Sequence, residues 1–487
     1  MKKIYLTLVC LMALAATSCN DFLDVHPKGE KVEGDLFEDA QGFEDAIYGV
    51  YGYMGVRALY GMDMVWGIPE LLDQNLVCTS TYGNDFGKYD YTTNAETRNK
   101  ILGIWKNAYE AIGYANNVLK NLENNNQDAL PLYNLYKGEM LGVRAMLHFD
   151  LLRLFAPTDQ SKRGIPYVTA YSFSVKPFST VGECYQFIVN DLTEAERLMA
   201  DEETMSYPRD NDQYEAFNRW RENHINLYAV KALLARVHWY FGNKAKAAEY
   251  AEEVINSGRF PFVDVTEIQE HVAGVLCPKE TIFGLYSTQY LEFSTDFLFN
   301  YQFYKTYTAY DDASGSVHPM PWHKLFNEVD VDATMQDYRK GHFRQAKGYT
   351  TCLKLVDYVT NDNDQTGIGR RESLIHGIHI IGISEMYLIA ADALLESNYQ
   401  KAVGYFNDEI SARGLTKLRE GDVLTANRIF NEYHKELYGE GQHWFNMKRI
   451  NADIISNNES MTIPGSDAIY VLPIPQEEFD YRPEDNK

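Results

Sequence analysis

The chain has 487 residues, of which 45% are hydrophobic and 23% are charged, a balance typical of a folded globular protein. Its formal net charge is −24, which disfavours nucleic acid as a partner, because such proteins need a basic surface. The cysteines after Cys19 lie far apart and form no C-x-x-C pair, so we predict neither a disulfide framework nor a zinc site from Cys78, Cys184, Cys277 and Cys352.

The N-terminus has the pattern of a secretion leader. Two lysines precede the apolar stretch Ile4–Ala16, which is shorter than the about 20 residues of a transmembrane helix. Small residues stand directly before Cys19, as in a bacterial lipobox. We therefore predict a lipoprotein signal peptide over residues 1–18 and a lipid anchor on Cys19, because several acyl chains hold a protein firmly on a membrane. An ordinary secretory leader is the alternative.

Helical periodicity follows the leader. Apolar residues recur at helical spacing over residues 37–53, 101–122 and 136–155, and the last of these segments ends before Pro157. Two later segments, 232–260 and 383–415, can be laid on each other. The first has small residues at Ala235, Ala247 and Ala251, and the second has Ala390, Ala402 and Phe406 at the same spacing. This helix–turn–helix pattern resembles a tetratricopeptide repeat (TPR), without its usual Trp and final Pro, and generic α-hairpins are the alternative.

Two stretches interrupt the helical pattern. We predict a non-helical insert over Arg57–Arg98 and a second, longer and Tyr-rich insert over Phe262–Asp364. Loops of this length in a helical frame are usually functional. We therefore expect the functional surface of the protein on these loop-rich inserts, at about 57–98 and 262–364, and the helices to form the frame that carries them.

Six segments occur in an order that is specific when taken together. They read CNDFLDVHPKGE, GEMLGVRAMLHFDLLRLFAPTDQSKRGIPYV, ALLARVHWYFGNKAKAAEYAEEVINSGRF, ISEMYLIAADALLESNYQKAVGYFNDEISARGL, IFNEYHKELYGEGQHWFNMKRI and YVLPIPQEEF. Because these six segments occur together and in this order, the chain resembles the SusD/RagB family of Bacteroidetes outer-membrane lipoproteins. It departs from the family pattern at His443, where Arg is usual, at Asn446, where Asp is usual, and after Phe479, where the common N-P-G-Y tail is missing.

The resemblance implies a mostly α fold with about four TPR-like helix pairs that form a curved frame. The pairs are expected within about 37–155, 180–260 and 383–415 of a single domain over 19–487, and a looped, irregular half is expected to face the ligand. The resemblance also implies a lipid-anchored protein, exposed on the cell surface at the outer membrane, that captures oligosaccharide or glycan. It is expected to act as the lid of a SusC-like TonB-dependent transporter and not to be an enzyme. Peptide cargo, as in the RagB branch, a TPR-type scaffold for proteins, and a hydrolase are the alternatives.

Motifs for catalysis or metal binding are weak. The sequence has no H-E-x-x-H, G-x-S-x-G or P-loop motif. His376 and His379 share a helical spacing but have no third ligand nearby, and Asp362–Gly367 resembles a calcium loop with Ser373 in place of the twelfth-position acid. We therefore predict no catalytic residue, no metal site and no cofactor, and a structural calcium ion remains unsupported.

Sugar recognition needs aromatic faces for the C–H side of the ring and a few polar groups for the hydroxyls. The two inserts supply both. Candidate ligand contacts in the first insert are Trp66, Asp73, Asn75, Tyr82 and Asn84, and those in the second are Tyr290, Tyr304, Tyr307 and Trp322. Packing of Trp66 and Trp322 against the frame is the alternative role for these two residues.

Overall fold

The structure is a computed structural model of the chain. It describes residues 36–78, 80–125, 127–172, 174–204, 216–263, 279–290, 292–293, 304–305, 310–311, 317–318, 326, 337–346, 349–352, 354, 377–456, 461–480 and 482. The predicted leader and Cys19 lie outside the described residues, as do Tyr307, Trp322 and the calcium-like segment 362–367.

Helices are the main element of the described chain. In the first half they are α1 Ala40–Met54, α2 Ile68–Leu72, α3 Thr81–Gly87, α4 Ala95–Asn124, α5 Tyr133–Phe155, α6 Val181–Leu198, α7 Leu227–Tyr240 and α8 Lys244–Asn256. In the second half they are α9 Ile383–Leu394, α10 Tyr399–Ala412, α11 Ala426–Glu436, α12 Gln442–Arg449, α13 Asp467–Tyr470 and α14 Glu477–Asp480. A π-helical turn, Asp63–Gly67, precedes α2, and short 3₁₀ turns lie at Gln127–Ala129, Ala200–Thr204, Ala216–Asn218, Arg221–Asn223 and Tyr338–His342.

Helix α6 shows how local sequence sets a helix boundary. The Thr180 hydroxyl accepts a hydrogen bond from the Glu183 N–H at 3.2 Å, and the Glu183 carboxylate accepts one from the Thr180 N–H at 2.7 Å. This reciprocal capping box satisfies backbone donors that the first turn of a helix leaves unpaired. The buried positions recur every three or four residues, as expected for a helix with one face in the core: Val181, Cys184, Ile188, Leu192, Ala195 and Leu198.

Helix α5 is buried on every side from Gly138 to Phe155. The sequence predicted an apolar face there, with arginines on other faces. Those arginines are buried and paired: Arg144 forms a bidentate pair with Asp191, with both N–O distances at 2.7 Å, and Arg153 pairs with Asp150. Because each buried guanidinium meets a carboxylate, α5 can run through the centre of the helical frame.

Consecutive helices pack against one another along the chain. Each of α4 to α9 contacts the next helix, and α11 packs against α9. The two hairpins predicted from the repeat pattern are confirmed as α7–α8 and α9–α10. Asn243 and Asn398 cap the second helix of each hairpin through the same side-chain contact, and the small residues of the pattern are fully buried: Ala235, Ala247, Ala251, Ala390 and Ala402.

The strands of the described ranges pair two by two, all antiparallel. They are β1 Val77–Cys78, β2 Thr281–Tyr286, β3 Tyr304–Lys305, β4 Tyr310–Asp311, β5 Val317–His318, β6 Phe343–Ala346, β7 Tyr349–Cys352, β8 Gly377–Gly382, β9 Ile454–Ile455 and β10 Thr462–Ile463. The longest pair joins β2 to β8, with Gly284 opposite His379 and an irregular register at Phe283. Because β8 leads directly into α9, this pair fastens the second insert to the frame.

The prediction that Arg57–Arg98 is non-helical is wrong. The π-helical turn, α2, α3 and the start of α4 all lie in this range, and residues 59–76 are buried almost throughout. Tertiary contacts on several sides stabilise these short helical turns. Their apolar residues therefore do not follow the regular spacing of a helix with one buried face. The second insert falls largely outside the described residues. Among the described helices, none has the length and apolar character required to span a membrane.

Candidate functional site

Trp66 and Tyr290, predicted from different inserts, meet in the core. Their rings lie edge to face with centroids 5.8 Å apart, and only 1% of Trp66 and 4% of Tyr290 is exposed. Trp66 lies on the π-helical turn and Tyr290 follows β2. The pair therefore packs the second insert against the first, and contact of either ring with a ligand requires that it first become exposed.

The other predicted contacts are divided between the interior and the surface. Tyr82 is buried on α3, and its ring faces the Lys100 ammonium at 5.2 Å. Asn84, on the same helix, is exposed and open to solvent. Tyr304 lies on β3, paired with Cys78 of β1, so the two inserts also meet through backbone hydrogen bonds. Tyr307 and Trp322 stay predictions because they lie outside the described residues.

Asp73 and Asn75 belong to a buried polar cluster directly after α2. The cluster consists of Glu70, Asp73, Asn75, His434 and His443. The Asn75 amide donates to Glu70 at 2.9 Å and to Asp73 at 2.8 Å. His443 Nδ1 lies 2.9 Å from Asp73 Oδ2, and His434 Nε2 lies 3.0 Å from Asn75 Oδ1. The cluster thus joins the first insert to α11 and α12.

Burial governs the ionisation of this cluster. Burial raises the pKa of Glu70 to about 8, with a further rise from the nearby Asp73 carboxylate, and burial raises the pKa of Asp73 to about 7. Burial likewise lowers the pKa of His434 and of His443 to about 3. In the described part of the chain, no Lys or Arg pairs with Glu70 or Asp73. Within the described ranges, the two carboxylates therefore have no permanently charged cationic partner.

Asp73, His434 and His443 also form the group of side chains best suited to hold a metal ion among the described residues. One ligand atom from each can be chosen so that all lie within 4.8 Å of one another. Of this group, the sequence indicates only Asp73, as a ligand contact, because the three residues are far apart in the chain. The available signal was His443 itself, which stands where the family pattern has Arg.

A second buried network, made of ion pairs, attaches the second insert to the helical frame. Arg413, at the end of α10, binds Glu280 with both carboxylate oxygens, at 2.8 and 2.9 Å, and also binds Glu436. Arg339, in the second insert, shares Glu436 at 3.0 Å and binds Asp337 at 2.8 Å. Because the two guanidinium groups share one carboxylate, the insert and α11 are held as a unit around residues 337–339.

One exposed ring lies where the frame meets the second insert. Tyr286 ends β2 and is 59% exposed, whereas the preceding strand residues are buried. It was not among the predicted contacts. Its position at the end of a strand whose other residues are all buried gives no sequence signal that separates it from the other tyrosines of the chain.

Two family models match the sequence. A model described as "Starch-binding associating with outer membrane" matches residues 21–217, and a model described as "SusD family" matches residues 333–484. The two matches together cover most of the chain. The chain belongs to the SusD/RagB family, whose members are binding proteins associated with the outer membrane.

Solved structures share the fold over nearly the whole chain. A SusD superfamily protein from Bacteroides thetaiotaomicron is 23% identical, with a TM-score of 0.70 over 91% of this chain and 98% of that one. A SusD-like carbohydrate binding protein from Bacteroides vulgatus is 21% identical, with a TM-score of 0.67 over 90% and 96%. A laminarin binding SusD-like protein is 16% identical, with a TM-score of 0.62 over 91% and 97%. The predicted mostly helical, SusD-like fold is confirmed. A search of curated proteins gives no match.

Proposed function

We propose that this protein is a cell-surface, lipid-anchored glycan-binding protein that captures oligosaccharide and delivers it to a SusC-like TonB-dependent transporter as its lid. The observation that carries the proposal is the family match at both ends of the chain, together with a fold shared with relatives that are described as carbohydrate binding and laminarin binding. Binding, and not catalysis, is the activity that this family membership supports.

The distribution of side chains supports ligand capture at the inserts. The Tyr-rich second insert is anchored by the β2–β8 pair and by the Arg339–Arg413 network. A rigid anchorage of this kind reduces the ordering cost when loops close on a ligand. Tyr286 and Asn84 place an exposed aromatic ring and an exposed amide on the two inserts, the two kinds of group that a sugar requires.

The lipid anchor and the transporter complete the proposal. Cys19 follows a lipobox-like leader, and the model matched at residues 21–217 describes association with the outer membrane. A protein that binds its ligand at the cell surface needs a partner to move that ligand across the membrane. A SusC-like transporter is the partner that the family resemblance implies.

A titration of the purified protein, residues 20–487, against panels of soluble glycans and peptides tests the proposal. Saturable binding of one glycan class, such as β-glucan or α-glucan oligosaccharides, is the expected result. Binding of peptides alone would instead assign the RagB-like cargo. Co-purification with a transporter without any ligand would favour a scaffold, and release of reducing ends from a glycan would show a hydrolase.

A further inference from the structure

The cluster formed by Asp73, His434 and His443 has the composition of a metal site. Asp73 follows α2 in the first insert, His434 lies on α11 and His443 lies on α12. One carboxylate and two imidazoles are ligands that suit zinc and related divalent transition metals. The fold therefore brings this ligand set together from positions up to 370 residues apart in the chain.

The spacing of the ligand atoms is close to that of a zinc centre. Two ligands of a tetrahedral zinc ion, each about 2.0–2.1 Å from the metal, are about 3.3 Å apart. His443 Nδ1 lies 2.9 Å and His434 Nε2 lies 3.7 Å from the same oxygen, Asp73 Oδ2. The two imidazole rings are stacked, with centroids 3.7 Å apart and planes 3° apart, so binding of one ion requires the rings to tilt toward each other.

The hydrogen bonding of His443 leaves one ring nitrogen unused among the described residues. Its Nε2 atom is buried and has no hydrogen-bond partner among the described residues, so the hydrogen bonding of the ring there is limited to Nδ1. A buried ring nitrogen without a partner is uncommon. Turning the ring toward a metal breaks its hydrogen bond to Asp73, which the metal replaces, and shifts its ring contacts with His434 and Phe430.

The charge around the cluster also favours a cation. Glu70 and Asp73 are both buried, and no Lys or Arg of the described chain pairs with either. A bound divalent ion would supply the positive charge that these carboxylates lack among the described residues.

The surroundings hold the carboxylate in place. The Asn75 amide bridges Asp73 and Glu70, and Glu70 also accepts the Gly441 N–H at 2.8 Å. Such outer contacts orient a ligating carboxylate. His434 is 17% exposed at its side chain, whereas Asp73 and His443 are buried, so an ion has access from the His434 side.

We propose that Asp73, His434 and His443 bind one zinc-class divalent ion that joins the first insert to α11 and α12. Asn75 Oδ1, 3.0 Å from His434 Nε2, or a water molecule supplies the fourth ligand. The ion has a structural role, because it links three elements in the interior of the fold.

Zinc retention by the full mature chain tests the site. Protein stripped with a chelator is incubated with zinc, desalted and analysed by elemental mass spectrometry. The wild type is expected to retain about one zinc ion per chain, and cobalt in its place is expected to give the visible absorption of a four-coordinate site. A wild-type chain that retains no zinc at the level of the protein concentration overturns the proposal.

Two variants and a control assign the ligands. His443→Arg is expected to keep the fold, because its guanidinium pairs with Asp73, but to weaken zinc binding by at least about tenfold. His434→Gln is expected to do the same with a neutral side chain of similar reach. His379→Gln, at a histidine that contacts Thr281, should bind zinc as the wild type does. If circular dichroism shows that all three variants are folded and they retain zinc equally, the zinc lies elsewhere and the assignment is overturned.

Discussion

The backbone N–H of Gly441 donates to the buried carboxylate of Glu70 at 2.8 Å and ties the start of α12 to the first insert. Gly441 has a φ of 72°, in the left-handed region that suits glycine. A Cβ at this position would overlap the backbone oxygen of Val65 and approach Pro69 at 3.0 Å. The close approach of α12 to the insert thus depends on the absence of a side chain.

Gly441→Ala should therefore lower the free energy of unfolding by about 3 kcal/mol, since left-handed backbone strain adds to the overlap with Val65. Urea unfolding measures the loss. Gly421→Ala is the matched control, because Gly421 also has a positive φ, of 99°, but an added Cβ there meets nothing within 4 Å. Equal losses in the two variants would show that strain alone, and not the close packing of α12, determines the cost.

Arg413→Met should destabilise the fold by about 3–5 kcal/mol, because it leaves the buried carboxylates of Glu280 and Glu436 without their guanidinium partner. Thermal and urea unfolding report the change. Lys246→Met removes a pair of similar length, 2.8 Å to Glu249, on the surface, and should produce no measurable change. A small effect of Arg413→Met would mean that Arg339 and solvent compensate for the missing charge.

The hairpins α7–α8 and α9–α10 were predictable because their signal is local. Alanines at helical spacing mark the contacts, and an asparagine before each second helix caps it, so neighbouring residues determine both features. The first insert was mispredicted because its turns depend on contacts with distant helices. Asp73 is an example: its partners include His443, 370 residues away, so no local pattern distinguishes a ligand contact from a buried structural group.

Lys448 supplies a pH-dependent prediction. Its Nζ donates to the backbone oxygens of Arg153 at 2.5 Å and Ala156 at 2.7 Å, at the end of α5, and burial lowers its pKa to about 7. The unfolded chain retains the ordinary value of about 10.4 and therefore binds more protons between pH 7 and pH 10. The contribution of Lys448 to the free energy of unfolding consequently rises with pH across that window, by up to about 1.4 kcal/mol per pH unit.

Urea unfolding of the wild type and of Lys448→Met at pH 7, 8, 9 and 10 measures this dependence. The stability of the wild type relative to the variant should increase toward pH 10, because the titration of all other groups cancels in the difference. Below pH 7 the difference in the free energy of unfolding between the two proteins should no longer change with pH. A difference that stays constant up to pH 10 would show that Lys448 keeps its proton in the folded state.

Cys19→Ala should release the protein from the membrane, since it removes the predicted site of lipid attachment. Fractionation of cells into membrane and soluble parts, followed by immunoblotting, measures the change. Cys10→Ala is the control, because Cys10 lies within the leader and should leave the anchor intact. Retention of Cys19→Ala in the membrane would contradict the lipobox interpretation.

Trp322→Ala should weaken binding of the preferred glycan by about tenfold, or about 1.4 kcal/mol, if its indole face stacks on the C–H face of a sugar ring. Titration calorimetry on the glycan class identified in the panel measures the change. Tyr399→Ala, which removes a 36% exposed ring from α10 of the frame, should bind as the wild type does. An unchanged affinity in Trp322→Ala, with unchanged thermal stability, would exclude this residue from the ligand surface. A loss of stability with unchanged affinity would instead assign Trp322 to packing of the insert, the role that Trp66 has against Tyr290.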